Sequence, residues 1–313
     1  MADYLKTFAT VADYEAYIAS DYPKPNVSYI EATGETIFTN YGDEPEPEGP
    51  DSTLVGIKNE DWPQNVTTIG LGNGTAANEP LRYLIKSIII PEGVTGFTSY
   101  GLRNLPRLEE LTLPSTITEY ADQSSGFASI VYGDYKLKKL TIPPTVTKIG
   151  TYAFMTGQDI NSVKEVYISD LSAWCGISFG VRPIVNHNVN RPLEGQENHL
   201  YLNGTEIIDL VIPEDVTIIK DYAFKAFNMI RTVDIHENVT AINVEAFALN
   251  PSLTSVTVRA TTPPTLGYGV FNQATGVPAA GLTIYVPAES VETYKAANNW
   301  STYASKIQAI PSE

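Results

Sequence analysis

Apolar residues along this chain keep neither a pure strand alternation nor a helical period. From Leu137 to Phe154 the segment LKKLTIPPTVTKIGTYAF reads L-x-x-L-x-I-P-x-x-V-T-x-I, with an aromatic residue five positions further on. The same frame fits Ile85, Ile88, Ile90, Pro91, Val94 and Phe97, and then Leu108, Leu111, Leu113, Pro114, Ile117 and Tyr120. It returns at Ile207 (Leu210, Ile212, Pro213, Val216, Ile219, Phe224), at Ile230 (Val233, Ile235, Val239, Ile242, Phe247) and at Leu253 (Val256, Val258). First positions 85 and 108, 207 and 230, and 230 and 253 each lie 23 residues apart. The step from 108 to 137 is 29, six longer, and the excess is placed within QSSGFASIVYGDY. A degenerate copy comes next at Val163, Val166 and Ile168, with an early turn around Trp62–Ile69 and a late one at Ile284–Pro287. Self-similarity at such a period is the mark of a solenoid.

Each position has a physical reason. The last two apolar residues of L-x-x-L-x-I stand at strand spacing, so one short strand per coil points two side chains inward. Proline then removes a backbone donor and fixes φ, which turns the chain off the sheet. V-T-x-I returns two apolar groups along the opposite wall, and the aromatic residue fills the far side. No coil buries this wedge alone, so neighbours must stack.

The segments IPPTVTKIGTYAF, IPEDVTIIKDYAF and VTAINVEAFALNPSLTSV resemble the BspA-like leucine-rich repeats of bacterial surface antigens, over roughly residues 54–287. YISDLSAWCGISFG followed by LYLNGTEIIDLVIP resembles a variant coil of gut-bacterial members. PPTLGYGVF and then IYVPAESVETYKAANNWSTYASKI resemble their usual carboxyl end. The family often has Gly-Cys after Ala-Phe. Met155-Thr156, Lys225-Ala226 and Ala248-Leu249 stand there instead, a departure that concerns packing.

The expected fold is therefore an α+β repeat solenoid, with leucine-rich repeats of about 23 residues and one continuous sheet face. Residues 1–41 read as a small amino-terminal α+β module, with a helix near Val11–Ala19 and a hairpin in which VSYI turns through EATG into ETIF. Residues 42–53 form an acidic, Pro-rich linker, and 54–287 the solenoid with an irregular coil at 170–206. Residues 288–313 make a carboxyl-terminal cap. Ala288–Ala297 and Thr302–Ile307 read as helical there, with Val291, Tyr294, Trp300, Tyr303 and Ile307 facing the last coil. Asn203-Gly204 is a two-residue hairpin signal.

Charge narrows the partners. Lys and Arg total 20 against 36 Asp and Glu, a formal net charge of −16. Such a surface repels phosphate backbones and anionic lipid, which argues against nucleic acid and membrane surfaces as partners. No window approaches the ~18 apolar residues of a membrane span. The first twenty residues lack the basic start and apolar core of a secretory signal, which leaves either a protein not exported by the usual route or a leader already removed.

Chemistry-bearing residues are sparse. Cys175 is the only cysteine, which excludes an internal disulfide and a Cys-rich zinc module; beside Trp174 it reads as a small buried apolar residue. His187, His199 and His236 show no metal-ligand spacing, and His236 occupies the proline slot of its repeat. GLGNG at 70–74 lacks the Lys-Ser/Thr of a phosphate loop and reads as a turn. No nucleophile, base and oxyanion set can be assembled, so no enzyme and no cofactor is expected.

What remains is surface. Glu110, Lys139 and Glu165 occupy the third position of successive coils and read as a lateral charge ladder, or else a charged binding face. Tyrosine is abundant at 19 copies; Tyr167 lies at an outward strand position, and Tyr132 and Tyr135 close the 120–135 insertion. Exposed tyrosines suit protein or sugar surfaces, because they bury area with little entropy loss. The resemblance implies a bacterial interaction protein that binds a protein or glycan in surface adhesion or host-factor capture. The alternative is a bacteriophage virion or tail-associated protein, in which residues 1–41 dock to the assembly. Specific binding is expected where the repeat departs from itself: in 1–41, 120–135 and 170–206.

Overall fold

Regular coils carry two short strands, one on each wall, where the sequence predicts one; proline follows the longer strand at Pro91, Pro114, Pro143 and Pro213. A computed structural model describes residues 27–30, 37–40, 55–57, 68–69, 85–97, 101–121, 129–156, 162–180, 198–227, 229–273, 277–278 and 281–312. The expected helix near Val11–Ala19, the 42–53 linker, His187 and the 70–74 glycines lie outside the described residues. The chain divides into two compact units, residues 1–145 with 152–163, and residues 146–151 with 164–313.

In the first unit, strands β1 (Val27–Ile30) and β2 (Ile37–Asn40) pair antiparallel, Ile30 opposite Ile37 and Val27 opposite Asn40. The second strand, IFTN, shares Ile37 and Phe38 with the expected ETIF, whose Glu35 and Thr36 lie outside the described residues. The coil strands come next: β3 (Val55–Ile57), β5 (Ile85–Ile89), β7 (Glu110–Thr112) and β9 (Lys139–Thr141) form a parallel series, each beside the next. On the opposite wall β4 (Thr68–Ile69) pairs parallel with β6 (Gly96–Phe97), and β8 (Glu119–Tyr120) occupies the same slot of its coil. The repeat anchors Ile85, Ile88, Leu108, Leu111, Leu137 and Leu140 are all buried. Burying each such side chain contributes roughly 1.5–3 kcal/mol.

In the second unit, β10 (Lys148–Ile149) pairs with β12 (Ser178–Phe179) on the short-strand wall. On the long-strand wall β11 (Glu165–Ile168) pairs parallel with β13 (His199–Leu202). Between β11 and β12 lies the short helix α1 (Leu171–Cys175), whose first turn is capped by the Asp170 carboxylate accepting from Ala173 N at 2.9 Å. At Asn203 and Gly204 the chain turns with φ of +50° and +80°, a primed turn, into β14 (Thr205–Glu206), antiparallel to β13.

Regular coils resume with β15 (Asp209–Val211), β17 (Thr232–Ile235), β19 (Ser255–Val258) and β21 (Thr283–Val286), and with β16 (Ile218–Ile219), β18 (Ala241–Ile242) and β20 (Thr265–Leu266) behind them. The expectation of one continuous sheet face fails at the hairpin. There β11, β13 and β14 belong to one sheet and β15 onward to another. The reason is β14, which takes the hydrogen-bonding edge of β13 that the next coil would otherwise use.

Phe224, Phe247 and Phe271 stack through these coils at 5.3 and 5.9 Å between ring centres. The cap meets the last of them with Trp300 and Tyr303. Its helical content is shorter than expected: a 3₁₀ turn at Ala288–Ser290, helix α2 (Val291–Ala296) and a 3₁₀ stretch at Trp300–Lys306. Ile307 is not helical. It opens strand β22 (Ile307–Ala309), which pairs parallel with β21 and satisfies that strand's otherwise open edge. Tyr294, Trp300, Tyr303 and Ile307 are buried as expected, while Val291 is only half-buried.

Candidate binding surface

Side chains that alternate away from the core of these strands form the outward face, and every strand-borne candidate lies on it. In the first unit Glu110 stands directly opposite Lys139, and the Lys139 ammonium lies 3.3 Å from the Glu110 carboxylate. One position earlier, Lys138 pairs with Glu109 at 2.8 Å, and Lys86 approaches the same carboxylate at 4.0 Å. The Lys138 ammonium holds Glu109 below the ordinary carboxylate range. These charges form lateral ladders between coils, each exposed pair worth a few tenths of a kcal/mol. Tyr132 lies under the Arg103 guanidinium, 5.0 Å from ring centre to Cζ, and Tyr135 beside it is exposed. Burial and the Tyr135 hydroxyl push the Tyr132 hydroxyl up.

In the second unit the departure from the repeat gathers more. Register places Glu165 opposite His199 and Tyr167 opposite Tyr201. The two tyrosine rings stack with centroids 4.4 Å apart and planes within 7°. The Tyr167 hydroxyl donates to Glu165 Oε2 at 3.0 Å. His199 lies against Tyr201, ring centres 6.0 Å apart, and its Nδ1 is paired with the Glu206 carboxylate. Glu206 itself stands opposite Tyr201 on the antiparallel hairpin strand. Burial, with Glu206 and Glu165 adding to it, pushes the Tyr201 hydroxyl up, so it stays protonated at neutral pH.

Of the six residues singled out from sequence, Glu165 and Tyr167 thus fall in an aromatic and acidic patch. Glu110 and Lys139 fall in a ladder, and Tyr132 and Tyr135 flank the insertion in the first unit. Sequence reasoning missed Tyr201, His199 and Glu206. The signal was present: HLYL laid over EVYI pairs Tyr with Tyr at the same outward position. His199 opens strand β13, within the 170–206 stretch that reads from sequence as an irregular coil.

The remaining chemistry is structural. His236 is buried, with Nε2 donating to Pro213 O at 2.9 Å and Nδ1 accepting from Asn238 N at 3.2 Å, so it bridges two coils. The Cys175 thiol is buried, and burial with the nearby Asp215 and Asp170 pushes it up to about 12. Among the described residues no group of His, Cys, Asp and Glu is arranged to hold a metal ion. Among the same residues no helix is long and apolar enough to cross a membrane.

The BspA type leucine-rich repeat region matches this chain in six copies, over residues 56–172 and 190–280. The chain belongs to that family. Its coil strands, proline corners and stacked phenylalanines are therefore those of a leucine-rich-repeat solenoid, a scaffold that presents an ordered surface for interaction. Solved structures similar to it come from gut bacteria. A leucine-rich repeat protein from Bacteroides ovatus is 15% identical, with 80% of this chain and 77% of that one covered and a TM-score of 0.34. One from Eubacterium ventriosum is 17% identical, covering 71% and 72%, with a TM-score of 0.27. A leucine rich cell surface protein from Faecalibacterium prausnitzii is 16% identical, covering 94% and 97%, with a TM-score of 0.25. No curated protein matches the chain.

Proposed function

We propose that this protein is a non-enzymatic interaction protein of a bacterial surface, which holds a protein or glycan ligand on the outward face of its repeat strands. The observation that carries the reading is the stacked pair Tyr167 and Tyr201, flanked by Glu165 and Glu206, at the one described coil where the sheet is interrupted by a hairpin. Regular coils elsewhere spend their outward charges on each other, as Glu110 does with Lys139 and Asp234 with Arg259 at 2.6 Å. At the hairpin the outward positions carry aromatic area with polar tips, the composition that binding surfaces favour. Support for a non-enzymatic role comes from Cys175 and His236, both buried and committed to packing or backbone bonds. Surface placement draws on the family and its resemblance to bacterial surface antigens. Residues 1–41 are proposed to dock to a separate partner.

The test is binding of the labelled full chain to cultured epithelial cells and to a glycan array, beside a Tyr167→Ala/Tyr201→Ala variant of unchanged circular dichroism. A loss of binding of tenfold or more in the variant supports the reading. Undiminished binding to the same targets overturns it.

A further inference from the structure

If the outward face holds the ligand, as proposed for this protein, the geometry of its patch selects among ligand classes. Sugar rings bind aromatic residues by lying flat on an open ring face. Tyr167 and Tyr201 do not offer a flat platform, because they sit on neighbouring strands and their planes, within 7° of parallel, face one another across 4.4 Å. Rings stacked along the interstrand direction stand on edge from the sheet. Each keeps one face that the other does not cover, and for Tyr201 that face is turned toward the hairpin strand, where Glu206 stands opposite it. Glu165 lies at the other flank, held by the Tyr167 hydroxyl. A planar cation on the outer face of Tyr201 meets that ring and the Glu206 carboxylate together, and Glu165 adds negative charge from the Tyr167 side. Such a cation stacks on the negative face of a tyrosine ring, and its donors reach a carboxylate in the same plane.

We infer that the patch of Glu165, Tyr167, His199, Tyr201 and Glu206 receives an arginine side chain from a basic segment of a partner protein, an inference that rests on the surface role proposed above. Charge complementarity favours this occupant over a neutral one: the chain carries a net charge of −16, which draws cationic partners from a distance. Arginine is favoured over lysine because its guanidinium is planar, weakly hydrated and able to donate two parallel hydrogen bonds, whereas an ammonium is a compact, strongly hydrated charge. His199 pairs with Glu206 Oε1, so the acceptor on the Tyr201 side is that carboxylate's second oxygen.

The experiment uses the full chain and a fluorescein-labelled peptide with three arginines spaced by glycine, read by fluorescence anisotropy, with a lysine-for-arginine peptide and a neutral chitotetraose alongside. The variant Glu165→Gln/Glu206→Gln keeps side-chain shape and removes two charges. The control Glu289→Gln/Glu292→Gln removes two charges from the exposed side of the cap. The patch variant should weaken the arginine peptide at least tenfold and the control less than twofold, with the lysine peptide several-fold weaker than arginine on the native chain. Equal weakening in both variants overturns the inference, since attraction is then only the net charge. No binding of the arginine peptide, or tighter binding of chitotetraose at the patch, overturns it too. The two proposals fail separately. If Tyr167→Ala/Tyr201→Ala abolishes binding to cells while no arginine peptide binds, the surface reading stands and the arginine inference falls.

Discussion

Gly267 runs so close to the preceding coil that a Cβ at this position would lie 2.4 Å from Val244 N and 2.5 Å from Asn243 C. Gly180 makes the same approach to Thr151 N, at 2.2 Å. Both glycines come just after a short strand of the rear wall, and both donate to that wall: Gly267 N to Ile242 O at 2.7 Å, and Gly180 N to Ile149 O at 2.8 Å. The obstacle is backbone, which cannot swing aside as a side chain would. Gly267→Ala should therefore cost about 2–3 kcal/mol in urea unfolding, the range of overpacked sites. Gly204→Ala is the comparison, because nothing lies within 4 Å of its Cβ position and only its φ of +80° opposes a side chain. It should cost about 1 kcal/mol. A Gly267→Ala midpoint equal to that of Gly204→Ala would show that the coils are not in backbone contact here.

Tyr120 offers the opposite sign. Its ring is core filling, 4.9 Å from Phe154 and 6.5 Å from Phe97, yet its buried hydroxyl has no hydrogen-bond partner among the described residues. A buried, unsatisfied polar group costs about 1–3 kcal/mol. Tyr120→Phe is thus expected to raise stability by about 1 kcal/mol in urea unfolding. Burial first, and Glu92 second, push this phenol well above its ordinary value of 10.0. A group raised in the folded state favours folding fully below its unfolded pKa, and that contribution is lost as pH climbs from there. Native stability should accordingly fall above pH 10, and the phenylalanine variant should fall less steeply. A variant less stable than the native chain at neutral pH would mean that the hydroxyl is satisfied.

Much of this architecture is legible in the sequence, for a physical reason. Ile142, Val146, Ile149 and Phe154 are buried because their spacing leaves them no other side of a turning strand. What could not be read depends on neighbours in space. Tyr167 and Tyr201 meet only because β13 takes the place beside β11 after the irregular segment, where the period that fixes register has lapsed. Strand β22 was hidden because SKIQAI is short and helix-compatible, and only the open edge of β21 makes it a strand. The corners at Tyr152, Tyr222 and Glu245, with φ of +60°, +62° and +51°, were silent because a left-handed residue announces itself only when it is glycine, as at Gly269 in the same slot.

Cys175 should be inert in the folded chain. With its thiol pushed up to about 12 from a reference of 9.0, the thiolate fraction at pH 8 drops on the order of a thousandfold. Iodoacetamide followed by mass spectrometry should label it rapidly in 8 M urea and negligibly in buffer. The stability held by the protonated thiol is present below pH 9 and lost as pH rises from 9 toward 12. Rapid native labelling at pH 8 would revive a nucleophilic role.

Lys225 and Glu245 tie two successive coils through charge in a place where charge is costly. The Lys225 ammonium is paired with the Glu245 carboxylate and lies 5.1 Å from the centre of the Tyr222 ring. Its side chain is 7% exposed against 27% for the glutamate, so removing the acceptor strands the more deeply buried partner. Breaking a fully buried pair costs about 3–5 kcal/mol, and solvent reaching Glu245 reduces that to about 1–2 kcal/mol for Glu245→Gln. Lys225→Met keeps the stem's packing and removes the charge, so it should cost less than Glu245→Gln. In the double variant the methionine no longer needs a carboxylate, and the loss should fall short of the sum by about 1 kcal/mol. Urea unfolding of the four chains measures this coupling. Strict additivity would mean that the pair is solvated in solution and adds nothing to the strand hydrogen bonds and the Phe224–Phe247 stacking that join these coils.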